Sequence, residues 1–353
     1  MTVLAKRVLA VAAFVVGLAT TAGAFQGPLD EPARSSALAA RGPLLAIAAA
    51  GSRFVAVGLR GHIVYSDDAG ASWKQASVPV STDLVAVSFP SATQGWAVGH
   101  GGVVLHTADA GATWTKQLDG RKSADLAIRY LESKAGKLPG AEKLLEREKR
   151  LAGDGGTQPL MAVHFESETA GCVAGAFNRL FCTTDGGVSW TPWMDRIDNP
   201  NELHFYALAG CADGICLAGE QGMVWHFDAE AGRFVTRALP YQGSVFGLLA
   251  DGARTLLAFG LRGSLFRSVD EGKSWERVSI GSQAGITGGA VLPGGVVLLA
   301  TQAGEIVRST DDGKSFARLQ PARPMAYYGV MGAAGGKAVL VGSEGVRVEA
   351  ARD

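Results

Sequence analysis

The stretch "HIVYSDDAGASWKQ", His62 to Gln75, is written again along the chain as "VVLHTADAGATWTKQ", "LFCTTDGGVSWTPW", "LFRSVDEGKSWERV" and "IVRSTDDGKSFARL". Each copy has a short apolar-leaning run, an abrupt polar turn and one aromatic. The acidic residues Asp68, Asp109, Asp185, Asp270 and Asp311 stand 41, 76, 85 and 41 residues apart. The longest step holds a worn copy, "VWHFDAEAGRF", with Asp228 and Phe234, and the step of 76 holds one period plus an insertion. A second landmark keeps the same period. Gly58, Gly99, Gly219, Gly260, Thr301 and Gly342 each precede a glycine by three residues, and Gly175 takes the same place before Asn178. The chain therefore counts seven units. A period of this length marks a repeat fold.

Each unit has one internal grammar. In the first, "LLAIAAA" is apolar throughout, "RFVAVGL" and "HIVYS" alternate, and "SWKQASV" is mostly polar. Four short strands with turn signals about every ten residues predict an all-β unit. A small, apolar first strand suits a crowded axis, and a polar fourth strand suits a rim. Four-stranded units of this size make propeller blades, here a seven-bladed β-propeller with Asp-box repeats. The 48 glycines, without a collagen period, fit many tight turns. The blades fall near residues 43–79, 84–118, 159–194, 203–238, 245–280, 287–320 and 326–350. The seventh has room for three strands, so a strand from residues 31–41 is expected to complete it and remove two open edges.

The turn "S-x-D-x-G-x-S-W" joins the third and fourth strands. Its Asp accepts turn amides, its Gly supplies a positive φ, and its aromatic packs between blades. Asp68, Trp73, Asp109, Trp114, Asp185, Trp190, Asp270, Trp275, Asp311 and Phe316 are accordingly read as structural, because a catalytic residue is used once and a fold device is repeated.

Lys6 and Arg7, the apolar run Val8 to Leu18 and the small residues Ala22 and Ala24 read as a secretory signal over residues 1–24, cleaved after Ala24. The mature propeller, 25–353, is then exported, soluble and periplasmic. Export makes disulfides available. Cys172 with Cys182, and Cys211 with Cys216, are local pairs placed to staple adjacent strands. His62, His100, His106, His164, His204 and His226 are scattered, so no metal and no cofactor is assigned. Net formal charge is zero, which gives no reason to expect nucleic acid.

"FVAVGLRGHIVYSDDAGASW" and "GWAVGHGGVVLHTADAGATW" resemble the repeat of the photosystem II stability and assembly factor family. The resemblance spans nearly all of the mature chain. It implies an exported, seven-bladed, non-enzymatic protein that holds a membrane protein complex or its assembly intermediate. Relatives in non-photosynthetic bacteria are met beside large membrane exporters, and the insertion sets this chain closer to that type. The alternative is a sialidase-like glycoside hydrolase, since Asp-boxes occur there too. That chemistry needs an arginine triad, a tyrosine nucleophile and paired acids. Tyr241, Tyr327 and Tyr328 have no obvious carboxylate partner in the sequence, and no catalytic residue is assigned.

The turn between strands two and three shares a face with the blade-to-blade connections. Candidate partner-binding residues on that face are Arg60, His100, Phe177, Gln221, Tyr241, Arg262, Gln302 and Arg323, with Gln283 and Met325 in the connecting loops. Residues 120–156 form a helical insertion between blades 2 and 3. "SADLAIRYLES" and "PGAEKLLEREKRLAG" read as two helices, with Leu144, Leu145 and Leu151 as a thin apolar stripe and Glu146–Arg150 as an i,i+4 pair.

Overall fold

The computed structural model describes residues 27–211, 214–251 and 255–351. The signal segment inferred at 1–24 lies outside them. The rest is a seven-bladed β-propeller: seven antiparallel sheets, six of four strands and one of three, each in simple sequential order. In blade 1 the strands are Leu44–Ala50, Arg53–Gly58, Ile63–Ser66 and Lys74–Gln75. Second strands are buried over most of their length, and Gly95–Gly99 and Gly171–Gly175 over all of it. They lie inside a stack of blades, so both of their faces are apolar.

The first strand of every blade lies against the first strands of both neighbours, and that of blade 7 (Tyr327–Ala333) lies against that of blade 1. Small residues permit this approach. A Cβ on Gly288 would come within 2.9 Å of Gly329 Cα and of the Tyr328 carbonyl oxygen. Between blades, each Asp-box aromatic packs into the preceding blade. Trp114 meets Val55, Val57 and Ala76, Trp190 meets Trp96 and Val98, and Trp73 meets Val341 and Val346 of blade 7.

The expected closing strand is corrected. Residues 31–41 form no strand, and blade 7 keeps three: Tyr327–Ala333, Lys337–Gly342 and Gly345–Ala350. One backbone bond reaches blade 7 from this segment, from Val346 N–H to the Ala40 carbonyl at 3.2 Å. Ala39 and Ala40 pack among Leu44, Val341 and Val346, and the segment's other hydrogen bonds and ion pairs go to blades 1 and 2 and the helix Gly120–Lys134. Gln75 receives the Ser36 N–H and donates to the Arg34 carbonyl, Ala33 N–H donates to Val78, and Asp30 pairs with Lys116 and Arg121. Pro28 and Pro32 have no N–H for a ladder. Side-chain amides and charges fix the segment where a strand cannot form.

Cys172 stands directly opposite Cys182 on the second and third strands of blade 3, and the two are bonded. Cys211 and Cys216 are bonded across the first hairpin of blade 4. The insertion is two helices, α1 (Gly120–Lys134) and α2 (Ala141–Gly153). Helix α1 starts before Ser123, because the Asp119 carboxylate accepts the Lys122 N–H and caps it. Among the described residues no helix is long and apolar enough to cross a membrane.

Candidate functional site: the face of the G-x-x-G turns

In blades 1, 2, 4 and 5 the G-x-x-G segment is a single 3-10 turn with a left-handed residue in third place: Arg60, Gly101, Gln221 and Arg262, all at φ between 57 and 68°. The connection into the next blade packs under the turn. The Arg60 N–H donates to Asp83 at 2.8 Å, and a Cβ on Gly61 would stand 2.1 Å from the Val80 carbonyl oxygen. Only glycine fits there, which explains the second glycine of the motif. In blades 1, 4 and 5 the third-place side chain stands out from the face, as the exposed Arg60, Gln221 and Arg262.

Arg60, His100, Gln221, Arg262, Gln302 and Arg323 are exposed, and Phe177, at 38%, edges onto His204 with ring centroids 4.7 Å apart. Two sequence candidates fall short. Tyr241 is half-buried, its hydroxyl donates to the Leu261 carbonyl at 2.9 Å and its ring lies on Phe266. It props the neighbouring turn. Met325 is 6% exposed and belongs to the core. Among the described residues the guanidinium groups of Arg60, Arg262 and Arg323 make no ion pair, whereas four acids of this face have partners. Asp83 accepts the Arg60 N–H, Glu220 accepts the His204 N–H, Glu344 pairs with Arg347, and Glu305 pairs with Arg318 and accepts the Ser282 hydroxyl.

At the centre of the face lies a feature that the sequence reading missed. Every first strand carries a β-bulge at the same place. Leu44 faces Gly58 and Ala46 faces Val57, so Leu45 has no partner. The equivalent unpaired residues are Val85, Met161, Tyr206, Phe246, Thr287 and Tyr328. A bulge re-aims its side chain, and here all seven line the axial channel and are half-buried. The Tyr206 and Phe246 rings meet edge to face at 5.7 Å. A faint signal was present: one larger residue near the start of an otherwise small-residue run. No local pattern says that it is a bulge.

The insertion lies on the same face, with α1 against the blade 2 turn. It is bolted to blade 3. Arg179, which follows the turn, is 1% exposed and donates to Glu148 of α2, itself 0% exposed, at 2.9 Å. Arg147 donates to the other Glu148 oxygen at 2.9 Å, and Arg179 also donates to Ser123 of α1. Burial pushes the Arg179 guanidinium below its usual range, and the Glu148 charge opposes that. Tyr130 of α1 donates to Asp195, and burial and that bond push its phenol up to about 12. The anticipated Glu146–Arg150 pair does not form among the described residues. Both side chains are exposed, and the charges that count are those facing the propeller.

The opposite face is a repeated turn. Asp68 accepts the Ser72 N–H at 2.8 Å and the Ser72 and Ser66 hydroxyls, while Ser66 accepts the Gly70 N–H. Asp109, Asp185, Asp270 and Asp311 repeat the pattern. Among the described residues the Asp228 side chain, in the worn copy, keeps the bond from Ala231 N–H and none of the others. Among the described residues no group of His, Cys, Asp and Glu is arranged to hold a metal ion.

A family model described as photosynthesis system II assembly factor YCF48 matches residues 45–127, which span blades 1 and 2. No curated protein matches the chain in sequence. Among solved structures, YCF48 bound to D1 peptide is similar with a TM-score of 0.62 and 18% identity, covering 89% of this chain and 95% of that one. YCF48 from Cyanidioschyzon merolae gives 0.61 and 16%, covering 90% and 98%. The WD40 β-propeller domain of Doa1 gives 0.64 at 10% identity, covering 93% and 99%, so at these identities the likeness is one of fold. Repeat sequence and architecture together make this chain a seven-bladed Asp-box β-propeller similar to the photosystem II assembly factors.

Proposed function

We propose that this protein is an exported, non-enzymatic propeller that holds a membrane protein complex, or its assembly intermediate, on the face of the G-x-x-G turns. The observation that carries the reading is the gathering of departures from the repeat on that face: the insertion, the long connection 194–205 and the variable turn residues. Repeat folds vary their binding loops without disturbing the stacked core. Exposed guanidinium groups without ion pairs suit an interaction surface. A similar propeller is described with a D1 peptide bound, so this fold accommodates a peptide of another protein. The two disulfides and the leading segment 1–24 favour an oxidising compartment such as the periplasm. A glycosidase is disfavoured because the Tyr241 hydroxyl is spent on a carbonyl and Tyr327 is buried.

The test is recovery of membrane partners by the full chain. Arg60→Glu with Arg262→Glu is expected to lower recovery at least about tenfold. Intact recovery in that variant, with loss on Lys273→Glu and Lys314→Glu at the Asp-box turns, would move the site to the other face. Turnover of a fluorogenic sialic acid substrate, lost in Tyr328→Phe, would replace the reading by the hydrolase.

A further inference from the structure

We propose that the mouth of the axial channel is a socket for a large apolar side chain, presented by a partner peptide segment with carboxylates on either side of it. The inference rests on the docking face proposed above and adds what that face recognises.

The bulge itself points to a use. An unpaired residue interrupts a ladder, yet the interruption recurs in all seven blades at one register. Ring closure does not call for large side chains there. Close approach of the first strands is met by the next residue, which is Ala or Gly in every blade, as Ala46, Ala162, Gly288 and Gly329 illustrate. The bulge residues themselves are large in most blades, and none is charged. Met161, Tyr206, Phe246 and Tyr328 bring a thioether and three rings to one opening. Half-buried apolar groups converging on a concavity, away from any chain of their own, are what a binding pocket offers an anchor residue.

Charge around the mouth narrows the occupant. None of the seven ring residues is charged, and around the ring Arg60, Arg262 and Arg323 stand exposed and, among the described residues, without ion pairs; Glu305 and Glu344 are paired with Arg318 and Arg347, while Asp83 and Glu220 accept backbone N–H groups. The complement is an apolar centre with acidic flanks. A peptide meets both parts. A flat lipid surface meets the exposed charges first and leaves the half-buried ring unfilled.

The test selects random short peptides on phage against the immobilised full chain. The winners, made synthetically, are then measured by fluorescence anisotropy. The proteins compared are the wild type, Met161→Ser with Phe246→Ser, and Arg60→Glu with Arg262→Glu, each checked by its thermal midpoint. Winners are expected to carry an aromatic or large aliphatic residue between Asp or Glu. The mouth variant should bind them at least about tenfold more weakly, and the rim variant should lose the salt-sensitive part of the affinity. If the double mouth variant unfolds, Met161→Ser and Phe246→Ser are used singly. Equal binding by the mouth variant, with loss in the rim variant, overturns the socket and leaves the docking face standing. Indifference to both overturns both. Selection of no peptide above background overturns the socket, and so does binding of phosphatidylglycerol vesicles that the mouth variant abolishes.

Discussion

An Asp-box carboxylate serves its own turn. Asp68, Asp185 and Asp270 are lowered from 3.8 to about 2, first by the hydroxyl and N–H of the serine four residues on. Asp109 and Asp311 are also lowered. A carboxylate depressed by folding contributes its stability above the unfolded value and loses it as pH falls through the folded one. Denaturant midpoints should therefore hold above about pH 4 and drop toward pH 2. Replacing several of these residues by Asn should flatten that drop, and an unchanged slope would show that other acids control it. The aromatics differ among themselves. Trp114 is 4% exposed, donates to the Gly111 carbonyl and edges onto Phe89, so Trp114→Ala should cost about 3–5 kcal/mol. Trp73 holds the same place but is only half-buried. Its Ala variant should cost less, and the two urea midpoints compare them directly.

At the scale of elements, the insertion shows how a buried charge can position a helix pair. Glu148 sits between Arg147 and Arg179, with no water-exposed surface of its own. Glu148→Ala leaves Arg179 only its bond to Ser123 and Arg147 only Glu202 at 4.0 Å, and should cost about 3–5 kcal/mol. Adding Arg179→Met should return part of that loss, because removing both partners costs less than removing one. Calorimetry of the wild type, the two single variants and the double variant checks the cycle; an additive double variant would mean that the pair is not coupled. The two helices were legible from their 3.6-residue periodicity and from Pro139 ahead of the second; Gly153, read as following that helix, is its last residue. The ion triad was not. Arg179 follows a turn in blade 3, 31 residues from Glu148, and no local spacing pairs them.

Across the whole molecule, the ring closes by first-strand contact and by Trp73 packing on blade 7, not by a strand borrowed from residues 31–41. The insertion contributes little to that closure. Replacing residues 120–156 with a short Gly/Ser linker lets Arg179 hydrate and leaves the stacked blades intact. The β signature in circular dichroism should persist while membrane-partner recovery falls. Loss of the β signature would mean that the helices are part of the propeller's core. Recovery unchanged would confine docking to the turns.

The repeat alone determined the seven blades, the Asp-box turns and the face on which variation collects, because a period of about 41 residues has few packed solutions. It also placed the cysteines in local pairs, since their spacing matches adjacent strands. Only the tertiary structure decided the rest. The bulge ring depends on register between strands, and the fate of residues 31–41 depends on Gln75 and the Val78 carbonyl capturing them. Whether Tyr241 faces solvent or props Leu261 depends on the neighbouring blade. Each of these is set by a contact between segments distant along the chain, and periodicity carries no record of such contacts.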